Sequence, residues 1–210
     1  LKINGGTIEN NKSTKAGAGI FSAKGVNINS GDTAAGTKDV IIQGNTATTP
    51  AGGIFIRNTS STIKNAKITG NTSGGLGGGI YAEVSTNISY AEVSENRSSA
   101  DGGGGINATG GTIAVNNSII NGNTAASWGG GYRASGGTTK ISNSTISNNT
   151  AGNGGAGADF SGSSTNATIS NTTISGNQAK GADNQAGGIQ NGSTLTLSSG
   201  TVVSQNTTAN

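Results

Sequence analysis

Apolar residues recur along this chain at short, isolated sites, and one kind of site is always followed three places later by asparagine. The pairs are Ile8/Asn11, Ile42/Asn45, Ile68/Asn71, Val93/Asn96, Ile120/Asn123, Ile146/Asn149, Ile174/Asn177 and Val203/Asn206. Successive asparagines stand 34, 26, 25, 27, 26, 28 and 29 residues apart, and a repeat of that length marks a solenoid. Two residues past each asparagine is a small side chain: Ser13, Ala47, Ser73, Ser98, Ala125, Ala151, Ala179 and Thr208. A glycine run then leads to an apolar position at Ile20, Ile54, Ile80, Ile106 and Ile189, replaced by Tyr132 and Ala158 in two repeats. A third apolar mark falls five residues before the pair, at Ile3, Ile63, Ile88, Val115, Ile141 and Ile169.

Three apolar sites per repeat, separated by Gly, Asn, Ser and Thr, do not follow the i, i+3, i+4, i+7 spacing of a helix. They predict short strands, each too small to bury anything alone. Stacking the repeats lets every strand pair in parallel with its equivalent one coil away, about 4.8 Å distant. The expected fold is therefore all-β, a right-handed parallel β-helix with three faces and about eight coils of roughly 26 residues. Inward asparagines at a turn can satisfy one another down the stack, since each amide both donates and accepts. Core volume is conserved through Ile80/Ala82, Ile106/Ala108, Tyr132/Ala134 and Ala158/Phe160, where the large residue shifts two places as the small one takes its site.

Gly52-Gly53-Ile54, Gly78-Gly79-Ile80 and Gly104-Gly105-Ile106, with the eight Ile/Val-x-x-Asn pairs, resemble the repeats of the polymorphic outer membrane proteins. Those repeats carry a GGA-I element and an F-x-x-N element. Ile or Val stands here in place of the Phe, and the Ala is usually Gly. The resemblance implies a secreted bacterial surface protein, an adhesin of the autotransporter-passenger type.

The 210 residues include 39 glycines and only 3% aromatics, too little apolar bulk for an ordinary globular core. Register kept through every repeat argues against a disordered low-complexity tract. The net charge is +3, with Lys and Arg scattered among acids, which is not the basic stripe of a nucleic-acid binder. There is no Cys, as befits an exported protein that folds in any redox environment. No apolar run is long enough to cross a membrane. The chain reads as a single solenoid segment, residues 1–210, of a longer surface polypeptide, located outside the cell. An insertion falls at Asn29–Lys38, and extra residues surround Lys180–Gln185.

Residues one past the inward apolar position should face outward. That row reads Phe21, Phe55, Tyr81, Asn107, Arg133, Asp159 and Gln190. Phe21, Phe55 and Tyr81 are the candidate ligand-binding residues, since an exposed aromatic strip suits sugars or protein partners. The plainer alternative is a stabilising aromatic ladder or a row covered by a loop, with Arg133 and Asp159 as a simple charge pair. Gly154–Asp159 partly matches the calcium nonapeptide of RTX repeats, but once and without its large apolar residue. Catalysis is not expected. The nine acids are dispersed, and no His or Cys is present to act as base or nucleophile. Thr7/Glu9, Lys67/Thr69, Glu92/Ser94, Thr145/Ser147 and Thr173/Ser175 flank the paired apolar residues, too mixed in charge for an ice-binding threonine rank. No cofactor or metal is expected. The partners expected are a host or environmental glycan or protein, or neighbouring solenoids stacked end to end. The first reading is a non-catalytic surface adhesin segment serving as stalk and binding face, the second a structural extracellular filament or matrix protein assembling by end-to-end stacking, and the third a segment of a carbohydrate-active β-helix enzyme.

Overall fold

The computed structural model describes residues 1–31, 39–162, 164–181 and 185–208. Among these residues the chain winds as a parallel β-solenoid with seven complete coils and a partial eighth. One coil shows the plan, with strands at Ser61–Lys64, Ala66–Thr69, Thr72–Ser73 and Ile80–Ala82. Each strand pairs only with its equivalents in the coils on either side. Three of the resulting ladders have eight strands and the fourth has seven.

Ladder II carries the signature apolar residues in one file, Ile8, Ile42, Ile68, Val93, Ile120, Ile146, Ile174 and Val203. Ladder I aligns Ile3, Ile28, Ile63, Ile88, Val115, Ile141, Ile169 and Leu197. Ladder IV aligns Ile20, Ile54, Ile80, Ile106, Tyr132, Ala158 and Ile189. Ladder III is an addition to the three expected faces. Its strands are two residues long and stack the small side chains Ser13, Ala47, Ser73, Ser98, Ala125, Ala151, Ala179 and Thr208. With no large apolar residue to mark it, a strand this short looks like a turn in sequence.

The three apolar files converge on one continuous core along the axis. Buried Tyr132 and Phe160 exchange places with Ala158 and Ala134, and their rings meet at 5.9 Å. The Tyr132 hydroxyl lies 2.8 Å from Thr139 Oγ1. Burial raises the phenol's pKa, so it stays neutral and hydrogen-bonded in the core. Residues 32–38 of the expected insertion lie outside the described residues; Asn29 itself ends the strand Asn27–Asn29.

The asparagines form a saturated ladder. Each side-chain amide donates one proton to the next asparagine's Oδ1, at 2.8 to 3.0 Å from Asn11 through Asn206. From Asn45 onward its second proton goes to the signature carbonyl of the preceding coil, as from Asn96 to Ile68 O at 2.9 Å. Each Oδ1 from Asn45 onward also accepts the backbone N–H of the preceding asparagine. The amide's bonding capacity is therefore used in full inside the stack, the condition under which a buried polar group is tolerated.

The glycine before the inward apolar residue walls this ladder. A Cβ on Gly105 would lie 2.6 Å from the Gly131 carbonyl oxygen and 3.0 Å from the Asn123 side chain, and Gly79 stands in the same relation to Asn96. The two halves of the repeat are thus one packing unit.

Replacing Asn96 with alanine strands the backbone and side-chain donors of Asn71 and the Ile68 carbonyl. At about 1–3 kcal/mol per orphaned group, Asn96→Ala should lower the unfolding free energy by about 3 kcal/mol or more. The exposed control Asn166→Ala should change it by less than about 0.5 kcal/mol. Chemical denaturation of the two variants checks this.

Candidate functional site

The outward row on ladder IV is assembled as its spacing requires, with Phe21, Phe55, Tyr81, Asn107, Arg133, Asp159 and Gln190 on successive strands. The aromatic rings stack at 5.2 Å between Phe21 and Phe55 and at 5.0 Å between Phe55 and Tyr81. The row is not open, however. Phe21 is 50% exposed, whereas Phe55 is 5% and Tyr81 9% exposed. The expected exposed strip is thus reduced to Phe21, and Phe55 and Tyr81 belong to a second small core with Ala51, Ala16 and Leu76.

The cause lies in the glycine turn. Three residues before the inward position the backbone takes a positive φ, at Gly17, Ala51, Gly77, Gly103, Gly129 and Gly155. This bend folds the turn back over the outer face of its own sheet, a conformation favouring glycine. The signal was present in the repeating glycine at that position. What the spacing did not reveal was that the turn would serve as a roof.

Farther along, the same roofed row turns polar. Arg133 donates from one η nitrogen to Asp101 Oδ1 at 2.9 Å, and its Nε lies 3.4 Å from Asp159 Oδ2. Ser161 Oγ also donates to Asp159 Oδ2, at 2.8 Å. The expected Arg133–Asp159 pair is present, and Asp101 makes it a triad. Gly102 makes room for it, since a Cβ there would come within 2.5 Å of Arg133 Cδ. Asp159 is fully buried. Desolvation raises its carboxyl pKa, and the Ser161 hydrogen bond and the Arg133 charge only partly offset that. Asp159 ends the stretch resembling a calcium loop, but its Oδ2 accepts from Ser161 Oγ and faces the Arg133 guanidinium. Among the described residues no group of three or more His, Cys, Asp or Glu is placed to hold a metal. Glu92 pairs with Lys67 at 3.1 Å, and Glu95 sits apart on an exposed turn at positive φ.

The open concave surface lies elsewhere, at the corner between ladders IV and I. Two shallow depressions, of about 290 and 260 Å³, share Ser60 and follow one another along the axis. Ser85, Thr86, Asn87 and Thr112 line the first; Lys24, Asn27 and Thr62 line the second. The exposed lining of the first is mostly apolar, with Thr86 buried and its hydroxyl donating to Val84 O, and that of the second is mostly polar. Sequence reasoning missed this corner because no single residue type marks it.

A carboxyl whose folded pKa lies above its unfolded value opposes folding when ionised, and the opposition is relieved as pH falls through the folded pKa. Asp159→Asn should therefore be at least as stable as the parent at neutral pH. The parent should gain stability relative to that variant as pH falls through the raised Asp159 pKa, toward the ordinary carboxylate value of about 3.9. Thermal unfolding of both proteins across that range tests the sign.

Residues 52–210 match the family model described as right handed beta helix region. No curated protein and no solved structure gives a significant match to the chain. The match spans well over half of the sequence and agrees with the parallel coils, their registers and the continuous axial core. The chain belongs to the right-handed β-helix family.

Proposed function

We propose that this chain is a non-catalytic segment of a bacterial surface adhesin, a stiff stalk that also presents a binding face. The observation that carries this is the unbroken register of the core and asparagine ladders from the first coil to the last. Such a rod resists bending because every strand is bonded to the coils on both sides. The Gly-Gly-Ile and Ile/Val-x-x-Asn elements support the comparison with polymorphic outer membrane protein repeats, and with it an autotransporter-type passenger outside the cell. A non-catalytic role is supported by the best candidate carboxylate, Asp159, being sealed beneath the glycine turn and paired to Arg133. The binding face proposed is the corner where Ser60, Asn87 and Thr112 are exposed beside a shallow, mostly apolar depression, which a glycan or an extended protein segment can approach. Neither nucleic-acid binding nor membrane insertion by this segment is part of the proposal.

Filling the corner with Asn87→Trp should lower binding of the chain to an array of glycans or to cells at least tenfold, with unfolding unchanged. Release of reducing ends from a polysaccharide by the parent chain would overturn the non-catalytic assignment.

A further inference from the structure

On the roofed outer face of ladder IV, Asn107 is fully buried between Tyr81 and Arg133. Neither Asn107 Oδ1 nor Asn107 Nδ2 has a hydrogen-bond partner within the protein. The same holds for Arg133 Nε and for Asp159 Oδ1. Two acceptors and two donors thus stand orphaned on three consecutive strands of one file. Buried amides and carboxylates do not remain unpaired without a large desolvation penalty. We propose that this seam is a binding site for ordered water, with water molecules bridging Asn107, Arg133 and Asp159 from coil to coil.

The chemistry selects the occupant. An anion would meet the Asp159 carboxylate, and a cation would meet the Arg133 guanidinium. Only a neutral molecule that both donates and accepts serves Oδ1, Nδ2, Nε and Oδ1 together. The turn packs directly on these side chains: an added Cβ on Gly103 would lie 2.5 Å from Asn107 Cβ, and one on Gly102 equally close to Arg133 Cδ.

The asparagine ladder and this seam are then two solutions to one problem. Inside the coil the amides reach one another and exclude solvent; beneath the roof the file changes residue at each step, and water fills the mismatches.

The test is diffraction from crystals of the 210-residue chain at about 1.2 Å, where ordered solvent and amide orientation can be assigned. The expected result is a water peak within hydrogen-bond distance of Asn107 and another touching Arg133 Nε or Asp159 Oδ1. Asn107→Leu should keep the coil register and lose the first peak, as an apolar residue continues the Phe55–Tyr81 row. The proposal is overturned if the Asn107 amide bonds directly to protein atoms. It is equally overturned by density with the short contacts of a metal ion, or by a peak that persists unchanged in Asn107→Leu.

Discussion

Each asparagine amide inside the coil is satisfied within the protein because another asparagine lies directly above it and another directly below. That arrangement holds this molecule in register. A slip of one residue between two coils would move an apolar file out of the core. It would also break the amide chain, stranding donors and acceptors that water cannot reach. The glycine facing each asparagine enforces the same spacing from the other side, because a side chain there would collide with the neighbouring carbonyl and the amide together. Hydrophobic burial supplies the larger share of the stabilisation, but Ile, Val and Leu substitute for one another along the files. It is the amide and the glycine that leave no latitude.

Within those limits the core is adaptable. Isoleucine dominates, yet one pair of coils replaces it with Tyr132 and Phe160, whose bulk is matched by Ala134 and Ala158. The outer face of ladder IV varies more, passing from aromatic to amide to ion pair within seven strands. The glycine turn seals most of that variation from solvent. The outward positions of ladders I and II carry mixed polar and charged residues such as Lys67, Glu92 and Asn87, which point away from the apolar files.

The apolar files and the asparagine ladder were legible in sequence because each rests on one residue type at one spacing. Ile28 escapes the pattern because the insertion that follows it disturbs the spacing to Asn45, and ladder III escapes it because small residues give no apolar signal. The aromatic row illustrates a deeper limit. Alternation along a strand predicted correctly that Phe55 and Tyr81 leave the main core. It could not predict that the turn from the same coil would bend back, through a positive φ at Ala51 and Gly77, and cover them. Whether an outward residue is exposed depends on the path of a loop, and side-chain periodicity carries no information about that path. The corner along Ser60, Asn87 and Thr112 was invisible for a related reason, since its residues become neighbours only when coils stack.

Hydrogen exchange of the asparagine side-chain amides, followed by NMR, addresses the central claim most directly. The account predicts that the Nδ2 protons of Asn71, Asn96, Asn123 and Asn149 exchange orders of magnitude more slowly than those of exposed Asn166, because they open only when coils separate. Exchange of the two groups at similar rates would contradict it.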